Sequence, residues 1–395
     1  MTSVATMNVD LTPERFGHGV PWDTLAELRR AAPVFWYEPG NCWVVTTHAL
    51  VSQVNRDVER FSSASGIAGR NDPGRPARRV LVEMDPPEHT KYRSLVNKAF
   101  SPKSIAELRE STRRIVRGVI DEFLTAGGGD LVRDLALPLP FRVMADLVGV
   151  PWSDCAQVSA WANATASSAD PVYRPDDATV AAARTAYTQY CHDVVAAHRA
   201  RPGDGVLDYL IAYEVDGWRL PDADLANFVE VLLTGGSETT RHLLSHTVLL
   251  LAGDDGQRRR LVDGQVDLRD AVAELLRYTS PVMQHSRTAT RDAEVGGVQV
   301  RAGDRLTLWM VSGNRDDAAF DHPDDLDLGR TRNRYLSFGS GGPHYCLGSH
   351  LTQLEASLFL EEFGSRLNDV RLAGPVERVW SNFFNGIRSA PIEVR

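Results

Sequence analysis

Lysine is almost missing from this chain. Of its 43 basic residues, Lys91, Lys98 and Lys103 are the 3 lysines and the other 40 are arginines, a bias that fits a GC-rich coding sequence. Excess basic charge is also missing. The formal net charge is −9, which argues against a non-specific nucleic-acid binder. Cysteine is scarce. Cys42, Cys155, Cys191 and Cys346 stand far apart with no CxxC spacing, which argues against a disulfide framework and a zinc site. Long apolar runs are absent as well. The stretches 229–233 and 243–252 are interrupted by polar residues or Gly and fall short of the roughly 18 residues a membrane span needs. Residues 1–10 lack a basic start followed by an apolar run, so no signal peptide is expected. These absences predict a cytoplasmic protein with free thiols and no membrane contact. In such a protein a lone Cys is a candidate reactive or metal-binding thiolate.

What is present is a globular composition: 395 residues, 43% hydrophobic and 24% charged. No repeat or low-complexity linker divides the chain, so one domain over 1–395 is expected, mainly α with small β-sheets. Strands are predicted at 43–46, 298–300 and 305–311, and a long loop at 63–88. Leu225, Phe228, Val229, Leu232 and Leu233 form an i, i+3, i+4, i+7, i+8 stripe that resumes after Gly235-Gly236. This predicts one long helix over about 222–253. Further helices are predicted at 267–278 and 347–367, with 317–345 irregular.

Four motifs carry chemistry. In the Cys loop, 338–348, four glycines let the backbone turn sharply before Cys346, which sits just ahead of a helix start. The helix dipole and backbone N–H donors favour a thiolate there, as an axial heme ligand requires. A buried structural Cys would read the same way. The second motif, Thr234-Gly-Gly-Ser-Glu238-Thr239, breaks the long helix with two glycines, each costing about 1 kcal/mol relative to Ala. A bulge or a close ligand would explain them. Glu238 and Thr239 could relay protons, or Thr239 could bond the i−4 carbonyl and Glu238 face solvent. Third is the i, i+3 pair Glu274 and Arg277, whose spacing recurs at Glu238/Arg241 and elsewhere. Fourth, His89 and Arg93 share one helix face and suit a carboxylate, or form a solvated basic face.

Together and in this order, the motifs resemble the cytochrome P-450 superfamily of heme-thiolate monooxygenases, from about Trp22 to Arg395. The resemblance implies the cytochrome P-450 fold and heme b (iron protoporphyrin IX). It implies Cys346 as the axial iron ligand, with Phe338, Gly339, Leu347 and Gly348 around it, and Glu238 and Thr239 as the acid–alcohol pair near dioxygen. His89, Arg93, Arg287 and His344 match propionate-binding positions, and Glu274 and Arg277 a structural pair. Two departures stand out. The stretch 338–346 is one residue longer than the commonest pattern, around Gly342-Pro343, as in actinobacterial lipid- and sterol-hydroxylating branches. The 323–326 run lacks the usual Arg and Phe, leaving the third member of the Glu274 network unassigned, with Arg330 as a substitute.

By position in the family, the substrate roof comes from loop 63–88, Val231, Thr234, Gly235, Met283, Gln284, His285 and the turn 382–385 with Phe383 and Phe384. The mixture of rings with Gln, His and Asn implies a hydrophobic substrate with some polar handles, whether a lipid, sterol, terpenoid or specialised metabolite. The implied reaction inserts one oxygen atom from O2, with electrons from a separate ferredoxin and ferredoxin reductase. Oxidative C–C or C–N coupling on the same scaffold is the alternative, and a non-catalytic heme binder or gas sensor ranks lower. Over 89–117 the basic residues outnumber the acids 8 to 2, suggesting a ferredoxin docking patch near Lys91, Lys98, Lys103 and Arg113. A solvated face is the plainer explanation.

Overall fold

The long helix predicted from the apolar stripe runs unbroken over Asp222–Gly253. At 1.5 Å per residue it is about 48 Å long and crosses the molecule. Asp222 and Asp224 in its first turn complement the helix dipole. The computed structural model describes residues 9–68, 80–166, 169–215 and 217–394. Residues 69–79 of the loop expected over 63–88 lie outside the described residues.

Eight helices frame the interior: α1 (Glu88–Asn97), α2 (Arg109–Thr125), α3 (Pro138–Val148), α4 (Cys155–Ala166), α5 (Asp177–Ala200), α6 (Asp222–Gly253), α7 (Leu268–Thr279) and α8 (Ser349–Phe363). Helices α3 and α5 pack along α6, and α4 packs on α5. The glycine pair produces no bulge. A Cβ on Gly236 would stand 2.6 Å from Met144 Sδ of α3, so this glycine permits close helix packing. A Cβ on Gly235 would have no heavy atom within 4 Å.

Helix α7 shows how sequence sets an element. Asp267 caps it by accepting from the Arg269 N–H, and Val272, Leu275 and Leu276 supply the buried stripe. Ser280, with φ of +45°, and Pro281 end it. Helix α8 begins at Ser349, not 347, and gives way at Gly364 to a 3-10 segment.

One five-stranded sheet has the order β1-β2-β5-β4-β3, where β1 is Val34–Tyr37, β2 Cys42–Val45, β3 Phe61–Ser62, β4 His285–Ala289 and β5 Arg305–Leu308. The strand expected over 305–311 stops at Leu308, and 310–313 form a helical turn. Antiparallel pairing of β5 with β4 sets Leu306 against Arg287. A C-terminal hairpin pairs β6 (Glu377–Arg378) with β7 (Ile387–Ser389). Asp170 binds the α4–α5 connection to this hairpin. Its carboxylate is fully buried and accepts from the N–H groups of Val172, Tyr173 and Trp380 and from Arg388 Nη1.

Among the described residues, no helix is long and apolar enough to cross a membrane.

Candidate active site

The loop before α8 is built by left-handed glycines. Gly339, Gly341 and Gly342 have φ of +83°, +90° and +84°, values that other residues adopt only with strain. The Cys346 N–H donates to Phe338 O at 2.9 Å and closes the loop. Phe338 is buried beside the rings of Tyr335 and Tyr345. Leu347 packs on the main core. Burial pushes the Cys346 thiol up, while the Gly348 N–H and the Arg93 guanidinium pull it back toward the thiolate. An amide and a cation directed at one sulfur are what a thiolate ligand needs.

Beside Cys346 four cationic or donor side chains converge. The rings of His89 and His344 are 4.3 Å apart. Burial, then Arg287 and His89, hold His344 down to about 3, so it is a neutral donor. Arg287 is buried and its Nη2 donates to Asn55 Oδ1 at 2.8 Å. Burial lowers it to about 10, which leaves it a cation at neutral pH. His89 Nδ1 and Arg287 Nε are buried with no hydrogen-bond partner in the protein. Unsatisfied donors of this kind cost about 1–3 kcal/mol each and call for an acceptor. Two carboxylates, such as heme propionates, would satisfy them, so the residues present fit the group. The sequence pointed to none of the supporting Asn55 contact.

On the opposite side, α6 presents Thr234, Gly235, Glu238 and Thr239. The Thr239 hydroxyl donates to Gly235 O at 2.9 Å, the i−4 alternative, which leaves its lone pairs for accepting. Glu238 does not face solvent: it is 3% exposed and ion-paired to Arg241. Burial raises its pKa, and Arg241 opposes the rise. The Glu238/Arg241 spacing, one of several equivalent copies in the sequence, is thus a buried pair. Arg241 Nη2 also donates to Asn163 Oδ1 of α4 at 3.1 Å.

The expected substrate residues divide. Val231 and Thr234 are half-buried, and the Thr234 hydroxyl lies 2.9 Å from Tyr187 Oη of α5. Phe383 and Phe384 pack edge to face at 4.7 Å, Phe383 lies 6.0 Å from the His285 ring, and Phe384 lies 5.7 Å from that of His242 on α6. Met283 does not belong to this set. It is 1% exposed and sits in a separate cluster with Leu11, Phe16 and Trp309. Gln284 is buried as well. The partly exposed neighbours are Val282 and His285, and Val282 pairs with Phe384. The path of the chain after Pro281, which buries two successive residues, decides this, and position in the motif could not. Asn382 and Asn385 donate their amide nitrogens to the backbone carbonyls of Leu11 and Thr279, and Asn385 Oδ1 accepts from Arg378. His285 remains, held down to about 3 by burial and Arg287 and therefore neutral.

The structural network is complete. Glu274 and Arg277 are both fully buried, with Nε to Oε2 at 2.7 Å. Arg277 also donates to Asn314 O and Pro323 O. Arg330 Nε donates to Glu274 Oε2 at 3.1 Å and Asn333 Nδ2 donates to the same oxygen at 3.0 Å, so Arg330 fills the unassigned third position.

The basic patch over 89–117 is weaker than its sequence count. Arg109 pairs with Glu361, Arg113 with Glu361 and Glu362, and Arg117 with Glu362, both acids lying on α8. Lys91 Nζ lies 3.4 Å from the centre of the Trp218 ring. Lys98 and Lys103 are exposed.

Comparison with known proteins supplies the family. Residues 268–366 match the family described as Cytochrome P450. Linalool 8-monooxygenase of Pseudomonas putida is 31% identical over 95% of this chain and 96% of its own length. Steroid C26-monooxygenase of Rhodococcus jostii is 30% identical over 100% of this chain and 87% of its own. A solved Mycobacterium marinum cytochrome P450 in complex with pseudoionone matches with a TM-score of 0.91 at 35% identity, covering 100% of both chains. On this match in sequence and fold, the chain belongs to the cytochrome P450 family and is a heme-binding monooxygenase.

Proposed function

We propose that this monooxygenase hydroxylates a methyl-branched, largely apolar molecule bearing one oxygen function. The supporting observation is the composition of the chamber beside α6. Val231 of α6 is apolar, as are Val282, Phe383 and Phe384 of the facing wall, and His285 is the neutral polar group beside them. Linalool and pseudoionone, named for two relatives, are methyl-branched molecules with one oxygen function. A sterol carries the same features on a larger frame.

In this reading Cys346 would hold the heme iron, and His89, Arg93, Arg287 and His344 would hold its propionates. Phe338, Gly339, Leu347 and Gly348 shape the sulfur side. Bound there, heme supplies dioxygen binding and reduction at its iron. The Thr239 hydroxyl, with its hydrogen held by Gly235 O, would offer its lone pairs as an acceptor beside the bound heme. Glu238 holds the next proton in a dry setting. Electrons come from a ferredoxin and its reductase in the cytoplasm, docking at Lys98 and Lys103 on the Cys346 side.

A spectral-shift screen of the holoprotein tests the substrate class. Branched terpenoid alcohols and ketones should shift the heme band and turn over with a surrogate ferredoxin. Shifts confined to unbranched or strongly polar compounds would overturn the reading.

A further inference from the structure

The helix over His48–Arg56 ends against the thiolate loop. A Cβ on Gly339 would stand 3.4 Å from Asn55 Nδ2, and one on Gly342 would stand 3.5 Å from Arg56 Cα. The left-handed glycines thus let the loop lie directly on the helix end. Ser340, between them, is gripped at two atoms. Arg56 Nε donates to its carbonyl oxygen. Asn55 Nδ2 donates to its Oγ at 3.3 Å, and that hydroxyl donates onward to Ser52 O at 3.4 Å.

The other end of the buried Asn55 amide serves a different element. Its Oδ1 accepts from Arg287 Nη2 of β4 at 2.8 Å. A guanidinium only donates, which fixes the amide oxygen on that side and the nitrogen toward Ser340. Arg287 Nη1 donates to Ser286 O at 2.8 Å, and Nε has no partner in the protein. The acid that acts on Arg287, Asp85, is not its ion-pair partner: that carboxylate accepts from Ser62 Oγ and the Ser63 N–H. Two nitrogens of Arg287 are therefore turned to neutral acceptors, and Nε is left over. A neutral acceptor holds a guanidinium in place without cancelling its charge, whereas a carboxylate at the same position would cancel it.

We propose that Asn55 is a positioning residue for the heme: it aims Arg287 Nε at a propionate with the charge of the cation left whole, and it ties that cation to the Ser340 turn of the thiolate loop. One amide thereby spans the two attachments of the group, the cation 232 residues and the loop 285 residues along the chain from it. An undiminished positive charge beside a propionate favours gain of an electron at the iron. The amide therefore keeps the reduction potential higher than an acid in its place would.

The inference rests on the reading that Arg287 holds a propionate, and the test separates the two. Holoprotein variants Asn55→Asp, Asn55→Leu, Ser340→Ala and Arg287→Gln are compared with wild type for the ferric–ferrous midpoint potential and for the rate of heme loss to an apomyoglobin acceptor. Asn55→Asp keeps the shape and lets the Ser340 hydroxyl donate to a carboxylate, so heme loss should stay near wild type. Its reduction equilibrium should become about tenfold less favourable, which is about 59 mV for one electron. Asn55→Leu removes both arms without adding charge. It should speed heme loss severalfold and keep a potential above that of Asn55→Asp. Ser340→Ala cuts the loop arm alone and should speed heme loss by less, at the wild-type potential. Wild-type potential and heme retention in Arg287→Gln overturn the propionate reading. A changed Arg287→Gln, with a wild-type potential in Asn55→Asp or the same fall in Asn55→Asp and Asn55→Leu, overturns the role of Asn55 alone. Wild-type heme retention in Ser340→Ala overturns the tie to the loop, whatever Asn55→Asp does.

Discussion

Arg330 stands 56 residues beyond Glu274, and its Nε donates to Glu274 Oε2 at 3.1 Å, beside the Arg277 fork. One buried carboxylate is therefore shared by two guanidiniums. Arg277→Ala leaves that carboxylate short of its main partner and should cost about 3–5 kcal/mol. Arg330→Ala retains Arg277 and should cost less, about 1–3 kcal/mol. Urea unfolding of both variants measures the order. Equal stability of Arg330→Ala and wild type would remove Arg330 from the network.

The two adjacent glycines of α6 should respond in opposite ways. Gly235→Ala meets open space and gains helix propensity of about 1 kcal/mol, while adding a methyl to the substrate side. Gly236→Ala meets Met144 and should be destabilising by about 1–3 kcal/mol. Thermal melts report the first contrast and substrate titrations the second, with Gly235→Ala weakening bulky ligands. A stable Gly236→Ala protein would show that Met144 gives way freely.

Thr239→Ala should keep the heme-thiolate spectrum and waste electrons as peroxide, and Thr239→Ser should restore coupling. Cys346→Ala should lose the thiolate-type spectrum altogether. Peroxide assays and absorption spectra decide both, and a preserved spectrum in Cys346→Ala would refute the ligand assignment.

His246 Nε2 donates to Asn385 O at 3.0 Å, and burial with Arg378 lowers its pKa to about 4. Its ordinary value is near 6.5. Between those values the unfolded chain holds a proton that the folded chain lacks, so stability falls as pH drops from 6.5 toward 4 and is level above 6.5. The contribution is about 1.4 kcal/mol per pH unit in that window. His246→Gln should flatten the slope by about one proton, as read from denaturation midpoints at pH 4.5 and 6.5. An unchanged slope would mean that His246 titrates normally.

Reduction by a ferredoxin should slow with added salt and with Lys98→Glu. Glu362→Gln frees Arg117, leaves Arg113 paired only to Glu361, and should speed it. Stopped-flow reduction rates at two ionic strengths measure this, and salt-independent rates would remove the docking patch.

Much of the site was legible because it is local. The α6 stripe, the glycine-flanked Cys346 and the i, i+3 pair at 274 lie within single elements, where period and spacing carry the information. What depended on distant pairing was not. Glu361 and Glu362 neutralise arginines about 250 residues away, so a count over 89–117 overstated the patch. Met283 and Gln284 are turned inward by the chain path after Pro281, which the motif order does not encode. Asn163 and Asn55 gave no signal, since a lone Asn has no periodicity to mark it.

Asp170 carries a last consequence. A carboxylate between α4 and α5 grips Trp380 and Arg388, so the cover over α6 is fastened to the 377–389 hairpin. Two segments more than 200 residues apart in the chain therefore share one clasp. Closing the roof of the chamber waits for that clasp, and loss of the Asp170 carboxylate bears first on ligand retention.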